Sequence, residues 1–309
     1  MTRQQTIRDQ IQCTGVGIQS GQPVTMTLLP APADQGIVFI RTDLPGKPEI
    51  PARLENVSGS IMATTLAVDG VSVGTVEHIL AALSGSEVDN IRIEVQGPEL
   101  PIMDGSAAPF LLMINAVGIK PQEKPRQVIR IKQTIKVSDD ERLIEIRPSE
   151  SARVSCSIEF DHPLIRRQEM SVDITPNNFG REISRARTFG FLDDAEKLHR
   201  AGLAQGGTLD NVIVIDRFKV LNAGGLRFED EFVRHKILDI IGDFSLLGKP
   251  IVGHIKAYKT GHSLNHRLIR QIAASPECWE LTGPAGSPKP SFEAPAASSL
   301  EGLPEPAAA

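Results

Sequence analysis

The chain has 309 residues and a formal net charge of −5 at pH 7. That length holds two ordinary domains or one large one. Hydrophobic residues at 40% and charged residues at 23% exclude wholesale disorder. No basic block is present, which argues against nucleic acid as a partner, because neutralising phosphates takes clustered Lys and Arg. No apolar run approaches the ~18 residues of a membrane span. The N-terminus has no apolar signal-peptide core, so a cytoplasmic protein is expected. Cys13, Cys156 and Cys278 are odd in number and far apart, which argues against a disulfide framework or a cysteine zinc site.

Strand patterns come first. Residues 24–28 alternate, 37–40 form an apolar run, and 91–95 alternate again. Two helices are predicted beside them. One covers 75–83, with Thr75 as N-cap and Gly85 just past its end. The other covers 107–116, entered through Asp104-Gly105-Ser106, a tight turn, and left at Gly118. The polar stretch 119–126, with Pro121 and Pro125, reads as a linker. Strand patterns restart at 128–135, 143–146 and 154–160. A long helix is predicted over 229–247, acidic at its start and stopped by Gly248 and Pro250. A strand over 251–258 and a helix over 264–274 follow. The repeated order of elements predicts an α+β fold of two similar domains, 1–120 and 127–281. Each is expected to be a mostly antiparallel sheet with two helices on one face, the domains packing through those helices. The second carries an extra segment at about 189–216, and 282–309 is expected to be a loose tail.

His235 and Asp239 are four apart and share a helix face, which Asp243 continues. With His78 they make a donor set of two His and one carboxylate, the catalytic rather than the structural arrangement of a zinc site. Its open position would hold a water with a pKa lowered to about 7. Glu77, about 100° round the helix from His78, is placed as general base. His262 is the second proton-transfer group, with Asp243 accepting its other ring N–H. The same residues taken alone also read as a helical salt bridge beside a solvated pair. The donor set serves iron as well as zinc.

The stretches TVEHILAALSG (75–85), IMDGSAAPF (102–110), SRARTFGF (184–191), GLRFEDEFVRHKILDIIGD (225–243) and AYKTGHSLNH (257–266) resemble the UDP-3-O-acyl-N-acetylglucosamine deacetylases. These are zinc amidases of lipid A biosynthesis in Gram-negative bacteria, and the resemblance runs from about residue 4 to 280. It implies helices sandwiched between two sheets, and zinc held by His78, His235 and Asp239. It implies Glu77 as general base, His262 as general acid or electrostatic partner, and Asp243 as that histidine's partner. Thr188 would face the oxyanion and Lys236 would contact substrate near the metal. Phe160 and Asp161 resemble a uridine-binding stretch, with Lys259 and Arg142 toward the diphosphate. Met62, Phe189, Phe191, Leu192, Ala204 and Val214 resemble the lining of an acyl-chain passage. The implied partner is UDP-3-O-acyl-N-acetylglucosamine, met by a monomer with at most transient contact at the inner-membrane surface. Gln19 and Ala63 stand where family members carry His or Cys, which bears on acyl-pocket shape.

Other residues read plainly. His162 caps a turn, and His199, His254 and His266 are surface or packing histidines. Arg185 and Arg187 read as a solvated face beside a strand. A non-catalytic UDP-sugar binding protein with a structural metal remains the alternative from a different class.

Overall fold

In the strand Pro23–Pro30 the side chains of Val24, Met26 and Leu28 are buried and those between them are not, the period of two that a half-covered sheet imposes. The computed structural model describes residues 2–283, and it is an α+β structure with mostly antiparallel sheets. A five-stranded sheet runs in the order Ile11–Val16, Pro23–Pro30, Ile91–Gln96, Ile37–Arg41, Glu49–Pro51. Its one parallel pair is Ile91–Gln96 with Ile37–Arg41. A seven-stranded sheet is built from residues further along the chain, around the central strand Ile251–Tyr258. That strand pairs antiparallel with Arg142–Arg147 and parallel with Ala152–Glu159, and its start pairs parallel with Val128–Ile131.

The helices are α1 (Glu77–Gly85), α2 (Ala108–Val117), α3 (Pro176–Asn178), α4 (Leu192–Arg200), α5 (Glu231–Phe244) and α6 (His262–Ala274). Every residue of α1 except Ser84, and every residue of α5 except Arg234, is buried. Such all-round burial marks helices enclosed by other layers. α5 packs against α1, α6 and the strands Ala152–Glu159 and Arg167–Asp173. At the α1–α5 crossing a Cβ on Gly242 would stand 2.2 Å from the Glu77 carbonyl oxygen, so only glycine allows this approach.

Several expectations are corrected. α1 begins at Glu77, and Thr75 lies before it with φ of +58° rather than capping it. Residues 119–126 are not an irregular stretch: Ile119–Pro125 is a strand paired antiparallel with Arg3–Ile7. A two-stranded ribbon tolerates Pro121 and Pro125 because its edges need no N–H there. The extra segment forms a small unit in which Phe189–Phe191 pairs parallel with Ile213–Ile215, and α4 lies between them in sequence. Thr282 closes the strand Trp279–Thr282, and nearly all of the expected tail lies outside the described residues. No described helix is long and apolar enough to cross a membrane.

Candidate active site

His78 sits in the first turn of α1, and His235 and Asp239 lie one turn apart on α5. The α1–α5 crossing brings them together, with one ligand atom from each lying within 4.8 Å of the others. His235 Nε2 is 3.4 Å and His78 Nε2 4.0 Å from the same Asp239 oxygen, Oδ1. His235 Nδ1 donates to the Ala186 carbonyl at 3.1 Å, which leaves the Nε2 lone pair facing the cluster. Burial, reinforced by His235, pushes His78 down to about 3, and burial likewise lowers His235, so both imidazoles are neutral. Burial alone would raise Asp239, but His235 and Lys236 outweigh it and hold the carboxyl below its usual range. Asp239 Oδ1 is buried with no hydrogen-bond partner among the described residues. Two neutral imidazoles and an ionised, unsatisfied carboxylate oxygen fit a divalent metal ion.

Glu77 and His262 share the pocket wall with this cluster, with Glu77 Oε1 3.9 Å from His262 Nε2. The Thr64 N–H donates to the other Glu77 oxygen at 3.0 Å. Burial raises Glu77 to about 7 against the opposing pull of His262. Burial works against the charged form of His262 too, but the Asp243 carboxylate overrides it and lifts the ring to about 10. Asp243 is fully buried and accepts from His262 Nδ1 and Asn265 Nδ2, each at 2.8 Å, and from Thr64 Oγ1 at 2.7 Å. His266 Nε2 stands 3.3 Å from the other side of the carboxylate.

Thr64, Asn265 and His266 were not anticipated in this site. Asn265 and His266 lie three and four residues after His262, a helical spacing that could have placed them on its face. His266, read as a surface or packing residue, is 1% exposed within this network. Thr64 lies in a loop and carries no local signal.

An open pocket, about 890 Å³ counting the solvent-open space at its mouth, lies over these residues. Glu77, His78, Thr188, His235, Lys236, Asp239 and His262 form part of its wall. Met62, Phe189, Phe191, Ala204 and Val214 line it as well, joined by Leu198 and His199 of α4. Thr188 is fixed through its backbone, its N–H donating to the Gly105 carbonyl and its carbonyl accepting from Ile213, both at 2.8 Å. The tight turn read at Asp104-Gly105-Ser106 is present, with Gly105 at φ +83°.

Of the residues expected to contact substrate, five lie outside the cavity wall, and Asp243 lies behind His262 rather than on it. Phe160 packs behind it, 5.9 Å from Phe189 and 5.7 Å from Phe191, ring centre to ring centre. Asp161 is exposed. Lys259 pairs with Glu141 at 2.8 Å, and Arg142 pairs with Asp139. Leu192 is 43% exposed at the start of α4. Arg187 is no solvated residue: it is 8% exposed and pairs at 2.8 Å with Glu231, which is 0% exposed.

Comparison with known proteins bears on the whole chain. Residues 4–274 match the family model of the UDP-3-O-acyl N-acetylglycosamine deacetylases. A UDP-3-O-acyl-N-acetylglucosamine deacetylase of Myxococcus xanthus is 52% identical over 278 residues, covering 90% of this chain and 88% of the relative. Proteins of the same name from Hahella chejuensis and Saccharophagus degradans are each 49% identical over 283 residues. These two alignments cover 91% of this chain, and 94% and 93% of the respective relatives. With a cavity built over a buried donor triad and a match along nearly its full described length, the chain belongs to the UDP-3-O-acyl N-acetylglycosamine deacetylase family of hydrolases.

Proposed function

We propose that this protein hydrolyses the N-acetyl group of UDP-3-O-(3-hydroxyacyl)-N-acetylglucosamine, releasing acetate and the free-amine UDP-sugar, the committed step of lipid A biosynthesis. The observation that carries the reading is that Glu77 and His262, 3.9 Å apart, share one cavity with the His78–His235–Asp239 cluster.

His78, His235 and Asp239 would hold one zinc ion. When bound, zinc supplies a Lewis acid that polarises the acetamide carbonyl and lowers the pKa of water. Glu77, raised to about 7, is poised to take the proton of the attacking water near neutral pH. His262, kept protonated by Asp243, is placed to deliver a proton to the departing amine. Thr188 and Lys236 line the same wall and would stabilise the charge that develops on the acetamide oxygen. The apolar wall of Met62, Phe189, Phe191, Ala204 and Val214 would hold the acyl chain, each buried methylene contributing roughly 0.8 kcal/mol. Phe160, Asp161, Lys259 and Arg142 would meet the nucleotide beyond this wall, and Leu192 would border the acyl chain's exit. The same reading has a cytoplasmic monomer meeting the inner-membrane surface through its lipid-like substrate.

Acetate release from the acyl-sugar by purified protein, with metal content measured on the same sample, tests the proposal. Release that chelation abolishes and zinc restores is expected. A metal-replete protein that binds the acyl-sugar and releases no acetate would overturn it in favour of a binding protein.

A further inference from the structure

Thr75 lies two residues before Glu77, and its φ of +58° puts a β-branched residue in the left-handed region. The backbone on either side is held by hydrogen bonds. Gly74 N–H donates to the Pro98 carbonyl at 2.9 Å, Leu100 N–H to the Gly74 carbonyl at 3.0 Å, and Val76 N–H to the Thr64 carbonyl at 3.3 Å. Glycine would adopt this conformation without strain. The threonine is instead 5% exposed and lines the cavity shared with Glu77, His78 and Thr188. Its Oγ1 is buried and has no hydrogen-bond partner among the described residues.

Two penalties coincide at this residue, a strained backbone and an unsatisfied buried hydroxyl, and neither helps the fold. Met62, at φ +63°, and Ala204, at φ +53°, also reach the cavity wall through left-handed backbone. Of these three, Thr75 alone brings a side-chain donor.

We propose that Thr75 is a substrate-positioning residue whose Oγ1 donates a hydrogen bond to an oxygen of the acyl-sugar bound in the cavity, holding it in register with Glu77. This rests on the reaction proposed above and deepens it, because it assigns a polar anchor beside the apolar wall.

Thr75→Val keeps the branched shape and removes the hydroxyl. Thr75→Ser keeps the hydroxyl. Thr75→Val is expected to melt at or above the wild-type temperature, because it deletes an unsatisfied group. Its KM for the acyl-sugar should rise about tenfold or more, with kcat within about twofold, and Thr75→Ser should restore KM. Should Thr75→Val fold poorly, Thr75→Ser against Thr75→Ala makes the comparison, since those two differ by the hydroxyl alone. Calorimetric titration with UDP-3-O-acyl-glucosamine, the free-amine product, should show the same fold-loss in affinity. An unchanged KM and product affinity in the variant lacking the hydroxyl would overturn the proposal, as would failure of serine to recover them. Wild-type acetate release tests the reaction separately, and the calorimetry tests Thr75 whether or not acetate is formed.

Discussion

The Asp243 carboxylate accepts the Nδ1–H of His262 at 2.8 Å, and Asp243 is wholly buried. Burial would push the carboxyl up, yet His262 and His266 hold it below the ordinary range, so the pair exists as carboxylate and imidazolium. A histidine lifted from 6.5 to about 10 contributes stability that is fully present below about pH 6.5 and is lost as pH rises through about 10. Activity that needs Glu77 ionised and His262 protonated should rise through about pH 7 and fall above about 10. Asp243→Asn removes the charge that raises His262, so the alkaline limb should move to lower pH. A pH–kcat profile of the two proteins checks this, and an unmoved alkaline limb would assign that limb to another group.

Glu77→Gln keeps an oxygen to accept the Thr64 N–H and removes the basic site. The expected loss in kcat is about 10²- to 10⁴-fold, with the melting temperature unchanged or raised, since a buried carboxyl is gone. Turnover near the wild-type level would remove Glu77 from the role of base.

Stripping the metal with a chelator should abolish acetate release and lower the melting temperature, because a ligand that binds only the folded state stabilises it. Zinc at about one equivalent should restore both. His78→Ala or Asp239→Ala should hold markedly less metal by elemental analysis. Full metal content in either variant would show that the ion sits elsewhere.

Gly242→Ala would place a Cβ 2.2 Å from a backbone oxygen of α1, and backbone cannot swing aside as a flexible side chain can. A destabilisation of about 2–3 kcal/mol in urea unfolding is expected. Activity should fall with it, because the same crossing sets Glu77 against the α5 donors. Wild-type stability would mean that the helices separate freely there.

Arg187→Ala leaves Glu231 charged and without its guanidinium partner in a site where the carboxylate is 0% exposed. The expected loss is about 3–5 kcal/mol. Replacing both partners, as Arg187→Met with Glu231→Leu, should recover most of it, and denaturant midpoints of the three proteins measure the difference.

Much of the site was legible in the chain because helix period is local. The spacing of His235, Asp239 and Asp243 puts them on one face of α5, and Glu77 beside His78 opens α1, whatever the rest of the molecule does. Long motifs and alternating strands likewise carried the family resemblance and the α+β class. What meets that helix face was not local. Thr64 reaches Asp243 across 179 positions, Arg187 pairs with Glu231 across 44, and Pro121 and Pro125 sit in a strand because Arg3–Ile7 pairs beside them. The left-handed turn at Thr75 has no sequence signature, since threonine is among the residues least suited to it. Periodicity specifies which side chains share a surface; chain closure and packing decide which distant surface they face, and with it burial, charge state and chemistry.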